Sequence, residues 1–209
     1  MIKTVYFNYR YLPIMEARHL PIKVSWNLHV KLKRHDIIFM DNVKLRYGMV
    51  KLGFSGTPFI PTSKGSCLII KDDGKLLVGD DVTFAEGLNI YIDNATLSIG
   101  SNVYFNRNIL IQCENEITIS SNSLFGWNVN IRDTDGHELS KDNSKESNIF
   151  VGQDVWVASD VFLMRGTSIS DGSIVGTRSL VLGLQLLEKK CLVAGSPAVV
   201  KKRNITLRK

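Results

Sequence analysis

His137 is the only histidine beyond residue 35, since His19, His29 and His35 all lie near the start of the chain. A neutral imidazole with an ordinary pKa near 6.5 can take a proton from an attacking hydroxyl at neutral pH, which is the work of a general base. Its surroundings are polar. The stretch "NIRDTDGHELSKDNSKESNIFVGQDVW", Asn130 to Trp156, spends about sixteen residues on charge and on Gly, Ser and Asn. A base of this kind needs a partner for its second ring nitrogen. Asp133, Asp135 and Glu138 are close along the chain, a backbone carbonyl would serve as well, and the sequence does not choose among them.

Other residue types offer less. Cys67, Cys113 and Cys191 are isolated and odd in number, with no C-x-x-C spacing. They read as small apolar residues in a reducing compartment, neither staples nor metal ligands. No metal is expected, because His19, His29 and His35 all precede the patterned part of the chain. The net charge of +6 admits a nucleic-acid partner, but no recognition motif accompanies it, so none is expected.

The spacing of apolar residues says what would position His137. One phrase recurs, an apolar residue followed by a small or polar triplet: Val78 with GDD, Ile99 with GSN, Ile119 with SSN, Val151 with GQD and Ile169 with SDG. The intervals are 21, 20, 32 and 18 residues. From Val151 the apolar step recurs every six residues, through Val157, Leu163, Ile169, Val175 and Val181. Val155, Val161, Thr167, Ser173 and Ser179, four residues after each step, are all small or β-branched. A six-residue period fits neither a 3.6-residue helix nor a hairpin meander. It fits short strands that turn a corner every six residues, three to a coil of about eighteen. Large apolar side chains then fill a prism, and Gly, Asn and Asp serve the corners. The 32-residue interval holds about fourteen extra residues, and these form an outward loop at 132–148 that carries His137.

The 209 residues suit one domain with an appendage. Residues 1–55 read as a cap of one short helix between Pro13 and Pro21 followed by strand-like alternation, residues 56–198 as the coiled domain, and residues 199–209 as a basic tail. Residues 1–51 hold ten Lys and Arg against three Asp and Glu, a net +7, so the basic excess belongs to the first quarter. Such a segment either attracts phosphate, anionic lipid or an acidic saccharide, or simply keeps a capped edge in solution. No apolar run is long enough to span a bilayer and no signal peptide is visible, so a cytoplasmic location is expected, with peripheral contact to the membrane through the basic residues.

The segment "VGQDVWVASDVFLMRGTSISDGSIVGTRSLV", followed by "LVAGSPAVVKK", is the most specific part of the chain. From about Cys67 to Lys202 the chain resembles the hexapeptide-repeat acyltransferases. Within that family "DTDGH" resembles the sugar and polysaccharide O-acetyltransferases, which carry a histidine on an outward loop just before the V-W coil. The resemblance implies a left-handed parallel β-helix, an all-β fold. It implies transfer of an acetyl group from acetyl-coenzyme A (acetyl-CoA) to a hydroxyl of a surface glycan, capsule or lipopolysaccharide precursor. N-acetylation of a nucleotide-linked amino sugar and a non-catalytic scaffold are the alternatives. A zinc lyase on the same fold, resembling the γ-class carbonic anhydrases, needs three histidines on the coils and fails.

By the same resemblance His137 matches the catalytic histidine and Asn106 the asparagine that holds the acceptor hydroxyl. Trp156, Ala158, Ser159 and Thr177 match cofactor contacts, a backbone N–H near Ser159 being the oxyanion donor, and Lys201 and Lys202 match cations beside the nucleotide phosphates. Asp133, Asp135 and Trp127 are expected at the acceptor. A homotrimer with sites shared between subunits is implied as well. The chain departs from the family pattern at Ala158, where glycine is usual. It also departs in the linker after Ser179, which is about two residues longer and lacks Lys-Asp-Val-Pro-Pro.

Overall fold

Each hexad allows only a few residues of extended chain before a corner, too few to pair with their immediate neighbours. Every strand therefore finds its partners one coil away. The computed structural model describes residues 1–61, 65–136 and 147–206 and builds three sheets in this manner. The nine-stranded face stacks Ile22–Val24, Val50–Leu52, Val82–Phe84, Tyr104–Phe105, Leu124–Phe125, Trp156–Val157, Ile174–Val175, Leu192–Gly195 and Ala198–Lys202. The seven-stranded face runs from Leu28–Lys31 through Ser66–Lys71, Asn89–Asp93, Leu110–Cys113, Asn130–Arg132 and Phe162–Met164 to Leu180–Val181. The six-stranded face runs from Ile37–Phe39 through Lys75–Val78, Thr96–Ile99, Glu116–Ile119 and Ile149–Val151 to Ser168–Ile169. The chain visits the three faces in turn, as a left-handed parallel β-helix.

Register makes the core a set of vertical columns. Phe84, Phe105 and Phe125 are fully buried and stack face to face, with centroids 4.3 and 4.6 Å apart. Val157, Val175 and Val193 continue that column. The hexad residues Leu163, Ile169 and Val181 are equally buried, and so are the small corner residues Thr167, Ser173 and Ser179. Truncating one of the stacked phenylalanines to alanine would cost about 3–5 kcal/mol, the usual price of a core cavity that size.

The corner between the nine- and seven-stranded faces turns through left-handed backbone at Asn108, Asn128, Asp160 and Arg178, with φ between 55° and 60°. Asn and Asp tolerate that conformation better than most residues. Here they also tie coils together: Asn108 Nδ2 donates to Asn128 Oδ1 (3.1 Å), and Asn128 Nδ2 to Asp160 Oδ1 (2.9 Å).

The coils begin earlier than residue 56. Ile22–Val24, Leu28–Lys31 and Ile37–Phe39 already pair with the next strand of each face. Ile22 and Leu28 keep the six-residue step, but a turn inserted before Ile37 stretches the next interval to nine and hides the coil. The cap proper is helical: α1 (Ile2–Tyr11), which the sequence did not signal, and α2 (Ile14–Ala17) between the two prolines. Asn8 closes the open edge, donating to Ile22 O (2.7 Å) and accepting from Ile22 N (3.1 Å), while Thr4 Oγ1 accepts from Val24 N (3.3 Å). At the other end the expected tail is partly sheet, since Ala198–Lys202 folds back antiparallel on Leu192–Gly195. Among the described residues no helix is long and apolar enough to cross a membrane.

Candidate functional site

The edge between the nine- and seven-stranded faces gathers most of the expected cofactor residues. Gly126, Ala158 and Gly176 occupy the same corner step on successive coils. Gly126 has no room for a side chain, because a Cβ there would lie 2.5 Å from Ser159 Oγ and 2.7 Å from Ser159 N. One residue further on stand Trp127, Ser159 and Thr177. Their backbone N–H groups donate no hydrogen bond among the described residues. The next residues do bond down the stack, Asp160 N to Trp127 O (2.9 Å) and Arg178 N to Ser159 O (3.1 Å). Thr177 Oγ1 also donates to Ser159 O at 2.7 Å. The corner thus engages the carbonyls of Trp127 and Ser159 and leaves a row of amide donors without a partner among the described residues, an arrangement suited to an extended ligand bearing amide or thioester carbonyls.

Beside this edge, Asp160, Phe162, Arg178, Leu180 and Ser196 line an open groove of about 550 Å³. Trp156 lies just before the corner on the nine-stranded face, half-exposed and in register with Leu124 and Ile174. Lys201 and Lys202 are exposed on the last strand. The adjacent Arg203 pairs with Glu188 at 2.7 Å.

Asn106 belongs to the same edge, but its amide is occupied. Its Oδ1 accepts from Thr57 N (3.0 Å) and Arg107 N (2.8 Å), and its Nδ2 donates to Thr57 Oγ1 (2.8 Å). The amide thereby grips a strap, residues 54–61, that crosses the corner. Arg107 secures the same strap through Pro58 O (3.2 Å) and Ile60 O (2.6 Å), and pairs with Glu86 (2.6 Å). Phe59 on the strap meets Trp127 edge-on, with centroids 6.1 Å apart. Neither strap nor Arg107 was expected at the site. The sixteen-residue interval from Leu52 to Leu68, rich in Gly and Pro, was the available signal.

Asp133 and Asp135 stand on a different edge, where the seven-stranded face hands over to the six-stranded one. Asp133 is completely buried, and its carboxylate accepts from Glu114 N (2.8 Å) and Asn115 N (2.9 Å). Burial pushes its pKa up, opposed by those two N–H donors. The side chain closes the corner of the coil below and leaves no exposed surface for the expected acceptor contact. Asp135 pairs with Arg165 Nε at 2.5 Å. His137 and Glu138 lie outside the described residues.

The two edges do not meet within one chain. Five residue steps of extended chain lead from Asn128 to Asp133, a width of about 16 Å.

No family model matches the chain. It is 30% identical over 180 residues, 85% of its length and 78% of the other's, to an uncharacterized 24.8 kDa protein in the cps region of Klebsiella pneumoniae. It is 36% identical over 104 residues, 48% of each chain, to the galactoside O-acetyltransferase of Escherichia coli strain K12. The chain spans about half the length of the galactoside O-acetyltransferases it matches. Its fold is like that of the polySia-specific acetyltransferase NeuO, with a TM-score of 0.55 at 21% identity over 90% of this chain and 73% of that one.

Proposed function

This chain belongs to the hexapeptide-repeat sugar O-acetyltransferase family, and from that premise we propose that it moves an acetyl group from acetyl-CoA to a hydroxyl of a saccharide. The acceptor class would be a surface glycan, capsule or lipopolysaccharide precursor. His137 takes the proton as the sugar oxygen attacks the thioester carbonyl. A free N–H at Ser159 stabilises the oxyanion that forms. When the C–S bond breaks, the imidazolium returns its proton to the departing sulfur. Trp156 and Ala158 flank the pantetheine arm, Thr177 offers the next amide donor, and Lys201 and Lys202 face the nucleotide phosphates.

The observation that carries this reading is the row of amides at Trp127, Ser159 and Thr177 that have no partner among the described residues, beside an open groove. Because the loop bearing His137 leaves from another edge, the active assembly is a homotrimer with each site shared by two subunits. The basic first quarter would keep such an enzyme near an anionic surface. Transfer of labelled acetyl from acetyl-CoA to a panel of saccharides tests the reaction. His137→Ala is expected to lower turnover by about two to four orders of magnitude with acetyl-CoA affinity unchanged. A variant retaining more than about a tenth of wild-type turnover would remove the base from the mechanism.

A further inference from the structure

Helix α1 packs by its polar side. Thr4 and Asn8, with Phe7, are buried because the open edge of Ile22–Val24 needs their hydrogen-bonding groups. The opposite side is left to Ile2, Val5, Tyr6 and Tyr9, of which Ile2 is 82% and Tyr6 62% exposed. Ile14 and Met15 on α2 are about as exposed as Tyr6, at 66% and 64%, and Trp26, whose carbonyl accepts from Lys3 Nζ, reaches 77%. An outward apolar and aromatic face of this extent on one end of a molecule calls for a partner.

The charge around it indicates which partner. Arg10, Arg18, Lys31, Lys33 and Arg34 are exposed, and none has a carboxylate within 4 Å among the described residues. Arg34 is held against the end of α1 by the carbonyls of Tyr9 and Leu12 (3.3 and 3.1 Å). Of the three acids in this quarter, Asp36 is buried and paired with Lys75, and Glu16 is half-buried. Aromatic and aliphatic side chains fringed by unpaired cations match the interface of an anionic bilayer, whose headgroups take the cations while its upper acyl region takes the rings.

We propose that the amino-terminal end of the prism is a docking surface for an anionic lipid bilayer, with Ile2, Tyr6, Tyr9, Ile14, Met15 and Trp26 at headgroup depth. It draws on the proposed function only for its purpose, since the docking chemistry is independent of acetyl transfer. Docked this way, the coil bearing Trp156 stands five coil steps, about 24 Å, above the first coil, with α1 between that coil and the surface. That height suits a lipid-anchored acceptor longer than a few sugars.

The test is flotation of the full chain with vesicles of phosphatidylcholine alone or with about one part in three phosphatidylglycerol. Binding should be at least about tenfold stronger on the anionic vesicles and weaken with salt. Tyr6→Ser/Tyr9→Ser should lose about tenfold or more while keeping its thermal midpoint, because both side chains already lie in water. Brominated lipid should quench Trp26 emission, read as the difference between wild type and Trp26→Phe, which decides the matter even if the double variant melts early. Absence of vesicle binding would overturn the proposal. So would a folded Tyr6/Tyr9 variant that binds as well as wild type, or lipid-free self-association through the same residues. Acetyl transfer to a soluble saccharide, measured in parallel, should be unchanged in the variant. Its absence from wild type would sink the enzymatic reading and leave docking standing.

Discussion

At Asp133 the strand alternation that puts Ile131 inside the prism puts the next-but-one side chain inside as well, carboxylate or not. Ile92 and Cys113 occupy the same step on the two coils below, and both are buried. Polarity within "DTDGH" pointed outward; counting parity from Ile131 points inward. Asp133→Ala should leave the N–H groups of Glu114 and Asn115 unpaired and cost about 2–4 kcal/mol, read as a lower thermal midpoint. A second carboxylate gives the opposite electrostatics at the surface. Asp171 is held below the usual carboxylate range, chiefly by the Lys189 ammonium and then by the N–H of Gln153. Since its pKa is lower folded than unfolded, its stabilisation is complete above about pH 4 and fades as pH falls further. Lys189 is largely in water and Asp171 partly so, and solvent screening keeps the effect to about a fraction of a kcal/mol. Melting curves of wild type and Asp171→Asn should differ slightly at pH 6 and converge near pH 2.

Between coils, Gly126 lies against Ser159 with no space for a methyl group. Gly126→Ala should push the Ala158–Ser159 corner outward, costing about 1–3 kcal/mol in stability. If that corner holds the cofactor, calorimetry will also show weaker acetyl-CoA binding by the folded variant. The coils themselves were legible wherever the six-residue step is unbroken, as from Val151 to Val181, because inward parity and step length agree there. They were hidden where insertions sit inside a coil: before Ile37, and between Leu52 and Leu68, where the strap leaves the stack. The cofactor edge was readable only through the family likeness. Free backbone amides carry no residue signature, and the occupation of Asn106 by Thr57 depends on a strap whose path the sequence does not disclose.

For the whole molecule, the separation of the two edges makes assembly a condition of activity under the proposed mechanism. Mixing His137→Ala chains with Ala158→Arg chains, each inactive alone, should restore about a quarter of wild-type sites if every site joins one edge from each of two subunits. Refolded mixtures that stay inactive would return both halves to a single chain. The aromatic column has a further effect, on how the chain reaches this state. Because each strand pairs only with the coils before and after it, folding propagates by addition to a formed neighbour, and the slow event is making the first pair. Phe84, Phe105 and Phe125 bury the largest side chains of their column on three consecutive coils, whereas Val157, Val175 and Val193 offer each newcomer less. The central coils are therefore where a nucleus forms, and the carboxy-terminal coils, which carry Ser159 and Thr177, are added late and open early. An occupied groove would bind those late coils together, so the ligand acts as the clasp on the end of the helix that is last to close.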